Sequence, residues 1–259
     1  MPHPTPKSTE QKIQSQQYSW PYHYFPQNSR DDGFTLHVEL GWGLTYFATT
    51  EFIIRKIEEL PFLSLLDFGC GDGRLINELG PRHPEASLLG QDFDERATAL
   101  ARLFSRTPNT LFTTDDLATL HQKHAAGFDI VTSIEVIEHI PPDDLPAVVN
   151  ALHGIIKPNG YLLLTVPSDN VPVNKKHFQH FNEKKLHTLF SEQFTLLESQ
   201  FIARRGRRSR IYRKMLTNSW FTTKARWIRD MAYRGYRKHC VLASPSDGTR
   251  ILQLYRKQP

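Results

Sequence analysis

Leu65-Leu66-Asp67-Phe68-Gly69-Cys70-Gly71-Asp72-Gly73 decides how this chain is read. Apolar residues run from Phe62 to Phe68 and stop at alternate glycines, the pattern of a buried parallel strand that ends in a tight turn. Glycine supplies the backbone freedom and close ligand approach that such a turn needs. Outward from it the rhythm repeats. Ser87–Asp92, Thr110–Thr113, Phe128–Ile134, Tyr161–Val166, Phe194–Ile202 and Thr249–Arg256 read as further strands. Helical spacing occupies Leu75–Leu79, Glu95–Ser105, Asp143–Ile156 and Glu183–Ser191, and a longer helix over Glu39–Leu60 stops at Pro61. Strand and helix alternating at this pitch imply an α/β fold, a parallel sheet with helices on both faces.

The totals agree. The chain has 259 residues, 39% hydrophobic and 23% charged, which suits one α/β domain with additions. Its two cysteines, Cys70 and Cys240, follow no metal-ligand spacing and imply a reduced, cytoplasmic protein. No apolar run approaches the roughly 18 residues of a membrane span, and the polar start lacks a signal peptide's apolar stretch. The expected organisation is a disordered tail over 1–17, an aromatic and helical lid over 18–61, a nucleotide-type core over 62–202, a basic helical insertion over 203–248 and a final core strand over 249–259. Charge is uneven. Thirteen Lys or Arg lie between Ala203 and Lys238 against Asp230 alone, so this segment carries +12 within a total of +5 and leaves −7 elsewhere. Such asymmetry points to an anionic partner. A basic amphipathic helix over Trp227–Tyr236 suits an anionic membrane surface, with the protein peripheral to it. Interleaved aromatics and arginines also suit single-stranded RNA, and the remaining reading is a solvated helical insertion packed beside the acceptor site.

A glycine turn after the first strand serves many nucleotide ligands. Against a dinucleotide, Arg74 stands where that pattern wants glycine, and Asp72 would repel a diphosphate. Asp67 instead offers a carboxylate to a cationic amine, and Asp92, ending the second strand, can accept both hydroxyls of a ribose. On these residues the segment 62–202 resembles the class I S-adenosylmethionine-dependent methyltransferases. The resemblance implies a Rossmann-like, seven-stranded mixed sheet whose last strand is antiparallel and inserted beside the sixth. It implies that Asp67, Gly69, Cys70, Gly71 and Gly73 hold the methionine end of S-adenosylmethionine, and that Asp92 binds the ribose with Phe93 beside the adenine. Asp116 would meet the adenine amine, and Ser133 lies in the fourth-strand motif beneath the cofactor. The turn Lys157-Pro158-Asn159-Gly160 into the fifth strand fits the same family.

Methyl transfer from a sulfonium is an in-line displacement, so the protein mainly aligns reactants and excludes water. A base helps only when the acceptor has a proton to lose. Glu135, Glu138 and His139 have i, i+3, i+4 spacing and would share one helical face. With the intervening residues they resemble the Glu-x-x-Glu-His element of ubiquinone-type O-methyltransferases and small-RNA 2′-O-methyltransferases, where it can bind a divalent ion. His139, Glu135 and His180 are the candidate catalytic residues. The base expectation is a metal-free loop over the cofactor; if an ion binds, Glu135, Glu138, His139 and His180 are the candidate ligands, with His177 as alternative to His180. Trp42, Tyr46 and Phe47 are read from their helical spacing as core, with the lining of a lid pocket over the acceptor as the alternative. A further similarity, to bacterial methyltransferases of cell-surface glycan synthesis, rests on the aromatic start, the 175–181 loop and the Gly-x-Arg-Ile at 248–251. The implied activity is O-methylation of a small-molecule or glycan-type acceptor. RNA 2′-O-methylation and a non-catalytic binding module on the same scaffold are the alternatives.

Overall fold

The computed structural model describes residues 9–18, 23, 27–29, 33–35, 40–217 and 220–258. Ahead of the core lie α1 (Thr9–Gln17), an antiparallel ribbon of β1 (Gln27–Ser29) and β2 (Gly33–Thr35), and α2 (Leu40–Glu58). The core alternates β3 (Ser64–Phe68), α3 (Arg74–Leu79), β4 (Ser87–Gln91), α4 (Glu95–Leu103), β5 (Thr110–Thr113), α5 (Leu117–His124) and β6 (Phe128–Ile134). It continues with α6 (Leu145–Ile155), β7 (Ile156–Pro167), α7 (Glu183–Phe190) and β8 (Phe194–Arg204). The insertion supplies α8 (Arg207–Leu216) and α9 (Arg226–Cys240) before the closing β9 (Gly248–Lys257).

The sheet order is β5-β4-β3-β6-β7-β9-β8, and β9 runs antiparallel to both its neighbours. This is the seven-stranded mixed Rossmann-like sheet that the alternation and the resemblance imply. One face buries Ile53, Ile54 and Ile57 of α2 with Ile76 and Leu79 of α3 against Leu65, Leu88 and Ile130. The other buries Val149 and Leu152 of α6 and Leu186 and Phe190 of α7 against Leu66, Val131 and Leu164. Each fully buried aliphatic side chain contributes about 1.5–3 kcal/mol, and the apolar runs that marked the strands supply these contacts.

Two features depart from the sequence reading. Residues 1–8 of the tail lie outside the described residues, but Thr9–Gln17, expected to be disordered, is helical. That stretch has neither glycine nor proline, and Ser15 is anchored by donating to Asp94. Asp116 caps a helix the pattern does not announce, α5, by accepting from Thr119 N at 2.7 Å. The basic insertion packs on the body through one side of its helices. Leu216, Ala232, Tyr233, Tyr236 and Cys240 pack on Leu44 and Ala48 of α2. Arg213 donates to Thr45 Oγ1 at 3.0 Å, and Arg237 pairs with Glu51 at 3.3 Å. Among the described residues no helix is long and apolar enough to cross a membrane.

Candidate active site

β3 and β6 are neighbours although the chain visits β4 and β5 between them. Their connections therefore diverge at the carboxyl ends and leave a crevice there. The glycine turn forms one lip. Gly69, Gly71 and Gly73 have φ of +76°, +57° and +78°, and a Cβ on Gly69 would run into Val136 from the opposite lip. Gly69 N and Cys70 N both donate to Gln91 O at 2.8 Å, which staples the turn to β4. The Cys70 thiol is pushed well up, first by burial and then by the charge of Asp92, so this residue offers the turn its backbone rather than a reactive sulfur.

Four buried carboxyls surround the turn: Asp67, Asp72, Asp92 and Asp94. Asp92 Oδ2 accepts from Gly71 N at 3.0 Å, and its Oδ1 accepts from Asp94 N at 2.9 Å. Thr132 Oγ1 donates to Asp67 at 2.6 Å. Burial pushes Asp67 up to about 7, with the Asp92 charge adding to the rise. Asp92 is pushed to about 6 by burial, against the two backbone donors. Crowded, desolvated carboxyls of this kind favour a ligand that brings positive charge.

Chain from the N-terminal side closes over these acids. His23 N donates to Asp72 Oδ2 at 3.2 Å, and His23 Nδ1 lies 2.7 Å from Asp72 Oδ1. Tyr18 is buried, with its hydroxyl and the His23 ring set against Gly71. His23 stacks on Tyr46 at 5.1 Å, and Tyr46 on Trp42 at 4.8 Å. Trp42 and Tyr46, read from spacing as core, are thus half-buried rungs of a ladder beside the turn, while Phe47 packs on Tyr233 of α9. Phe93 stands at the exposed rim, and Asp116 is exposed at the start of α5. Ser133 Oγ is buried without a hydrogen-bond partner at the end of β6.

The opposite lip holds the second cluster. Glu135 has φ of +57°, a left-handed conformation costly for a side chain that bulky. It is held there: Glu135 N donates to Thr165 O at 2.9 Å, Thr165 Oγ1 donates to Oε1 at 3.1 Å, and Arg250 Nε donates to Oε2 at 2.8 Å. Glu138 is fully buried, and neither carboxyl oxygen has a hydrogen-bond partner. Burial, then the Glu135 charge, pushes its carboxyl well above the usual range.

The three histidines form a connected set. His180 Nδ1 is 2.9 Å from Val171 O and must donate to it, which leaves Nε2 to accept from His177 Nδ1 at 2.8 Å. His139 Nδ1 donates to Lys176 O at 2.8 Å. The Nε2 atoms of His139 and His177 therefore carry their lone pairs, a tautomer fixed by the carbonyls behind them. Burial lowers His139 to about 4 and His177 to about 3, so both rings are neutral at physiological pH. Glu138, His139 and His177 each offer a ligand atom, all within 4.8 Å of one another. Two neutral imidazoles and an orphaned buried carboxyl fit a divalent ion.

Of the residues singled out from sequence, the structure brings Glu138 and His139 together. His180 stands behind His177 rather than beside Glu138, and Glu135 is tied to Arg250. The i, i+3, i+4 argument fails in detail because Ile137–His139 is a 3₁₀ turn, not an α-helix. His177, the alternative to His180, is the histidine that converges on Glu138 and His139, while sequence reasoning missed Arg250 and His23. Their only signal lay in the softer resemblance of the aromatic start and the Gly-x-Arg-Ile strand.

Sheet order and acid-lined turn together define the class I methyltransferase fold. A family profile described as a methyltransferase domain matches residues 45–254. Ubiquinone biosynthesis O-methyltransferases are similar at 31% identity over 121 residues in Leptothrix cholodnii, covering 46% of this chain and 50% of that protein. The Idiomarina loihiensis enzyme of the same name is 33% identical over 122 residues, covering 46% and 49%. The match thus spans about half the length of these curated relatives. Among solved structures, the N-methyltransferase NodS from Bradyrhizobium japonicum, in complex with S-adenosyl-l-homocysteine, superposes with a TM-score of 0.55 at 15% identity, covering 83% of this chain and 88% of that one. A methyltransferase from Archaeoglobus fulgidus gives 0.55 at 13% identity, covering 80% and 94%. The chain belongs to the methyltransferase-domain family, within the class I S-adenosylmethionine-dependent methyltransferases.

Proposed function

We propose that this protein transfers the methyl group of S-adenosylmethionine to a hydroxyl oxygen of a small-molecule or glycan-type acceptor. One observation carries the reading: a ring of buried carboxyls and a set of neutral lone-pair donors face each other across the β3–β6 crevice. The acids would meet the ammonium and sulfonium of the cofactor's methionine end, and the donors would meet a group that has a proton to lose. In this assignment Asp67 and the backbone of Gly69, Cys70, Gly71 and Gly73 hold the methionine end. Asp92 takes the ribose, Phe93 and Asp116 the adenine, and Ser133 turns its unpartnered hydroxyl to the cofactor's underside.

Held there, S-adenosylmethionine would supply an electrophilic methyl group, which the acceptor oxygen would take as the C–S bond breaks, the bonding pair leaving with the sulfur of S-adenosylhomocysteine. The hydroxyl proton passes to Nε2 of His139, whose neutral form is set by burial. Glu135, fixed by Arg250, positions the loop, and His180 orients His177. The orphaned oxygens of Glu138 favour a second reading of the same cluster, in which Glu138, His139 and His177 hold a divalent ion. Such an ion would supply a Lewis acid that acidifies the acceptor hydroxyl. The names of the curated relatives support oxygen as the methylated atom.

The test is incubation with methyl-labelled cofactor and fractionated cell extract, beside calorimetry of cofactor binding. Label in a hydroxyl-bearing small molecule or glycan supports the reading. Label in RNA would replace the acceptor, and absence of cofactor binding would leave only a binding module on the scaffold. Inductively coupled plasma analysis of untagged protein decides the ion: a stoichiometric divalent metal lost in the His177→Ala variant supports it, and none bound returns His139 to the base role.

A further inference from the structure

The α8–α9 insertion has an outer face that the crevice chemistry does not use. On α9, Trp227, Met231, Arg234 and Lys238 are exposed at i, i+4, i+7 and i+11, opposite the buried Ala232, Tyr233, Tyr236 and Cys240. On α8, Arg207, Ile211 and Lys214 are exposed at i, i+4 and i+7. The two helices pack together: Tyr212 lies against Gly235, and its ring is parallel to that of His239 at 6.5 Å. A cavity of about 310 Å³ on this unit is lined by Arg208, Ile211, Tyr212 and His239. The connection between the helices is pinched by an antiparallel bridge between Thr217 and Thr222. Thr223 N donates to Leu216 O at 2.8 Å just behind it. Within that pinch Trp220 is 91% exposed and Phe221 52%.

Large apolar side chains are usually drawn into a core, and here the inner faces of both helices already make one. What stands exposed on the hairpin is a set of indole, phenyl, thioether and aliphatic groups, those of Trp220, Phe221, Trp227, Met231 and Ile211, interleaved in sequence with cations and nearly free of acids. We propose that this hairpin docks on an anionic lipid bilayer, with Trp220, Phe221 and Trp227 entering the headgroup region and Arg207, Lys224 and Arg234 facing lipid phosphates. Indoles settle at the level of the headgroups, where one part of the ring is apolar and the N–H is wet. Lysine and arginine near the surface draw the protein to acidic lipids. Ile211 and Met231 separate this partner from single-stranded nucleic acid: neither offers a π-face on which a base can stack, whereas an acyl boundary takes both. The acidic body of the chain would be held away from the lipid by the same field that attracts the hairpin.

Sedimentation of the full chain with vesicles tests the surface without any cofactor, so its failure is separate from failure of the methyl-transfer reading. Partition onto vesicles of phosphatidylglycerol in phosphatidylcholine is expected to exceed that onto phosphatidylcholine alone by about tenfold or more, and to weaken with added salt. Tryptophan emission should shift to the blue on binding. The double variant Trp220→Ala, Trp227→Ala is expected to lose about tenfold in partition while keeping its circular dichroism spectrum, because both side chains stand outside the core. Equal affinity for both vesicle types, or partition untouched by the double variant, overturns the proposal. Retention on polyuridylate without vesicle binding overturns it in favour of nucleic acid.

Discussion

Around Gly71, four carboxyls are buried under the N-terminal segment, while on α8 and α9 a row of cations stands in water beside exposed tryptophans. The first region is rigid by necessity, since left-handed glycines, backbone staples and a parallel sheet fix every acid. The second carries its exposed cations and apolar groups on one helical face and meets α2 through its buried side. A desolvated acid is expensive until a cation arrives, so the crevice is selective for charge and shape together. An exposed cation costs little and gains little from any single partner, so in the proposed lipid docking the hairpin would discriminate by number and sign.

Substitutions can break that comparison at either end. The largest effect is expected at Gly69→Ala, where the positive φ and the collision with Val136 together cost about 4 kcal/mol in urea melts and abolish cofactor binding. Asp92→Ala should weaken S-adenosylmethionine about 100-fold by calorimetry, since a ribose would lose its acceptor and Gly71 N its partner. Arg250→Leu leaves the Glu135 carboxylate uncompensated; a fall in kcat of about 30-fold with cofactor affinity within about threefold is expected from single-turnover assays.

The pH response sharpens the crevice side. A cationic ligand favours ionised Asp67, which in the free protein is protonated below about pH 7. Binding must then expel a proton, so affinity at pH 6 should be about tenfold below that at pH 7.5, and Asp67→Asn should flatten the profile. The smallest effect belongs to the hairpin: Trp220→Ala with Trp227→Ala should leave the unfolding free energy within about 0.5 kcal/mol of the parent. A larger loss would mean that the outer face is tied to the body after all.

The same contrast explains what could be read from sequence. The inner strands are legible because burial on both faces demands apolar runs such as Leu162-Leu163-Leu164, whereas Thr110–Thr113 at the sheet edge, with Leu111 exposed, gives a weaker signal. Asp67, the glycines and Asp92 were legible because one short segment carries their geometry. Glu138 and His139 were legible as a motif, but their partner His177 arrives from a loop 38 positions beyond His139. Arg250 meets Glu135 only through the register of an antiparallel strand, which no local pattern encodes. α1 was missed because its polar face says nothing of the Ser15–Asp94 contact that anchors it. α5 was missed because its cap, Asp116, had been read solely as a ligand.

The position of β9 has a consequence for how the molecule is made. Synthesis delivers β3 to β6 first, so the glycine turn and its acids can form while the rest of the chain is still on the ribosome. The hairpin follows, and only then comes β9, which must slide between β7 and β8 to bring Arg250 to Glu135. Until that strand arrives, β7 and β8 present open edges and the loop around Glu135 lacks its clamp. Chain order thus completes the glycine turn before the strand that clamps Glu135 exists.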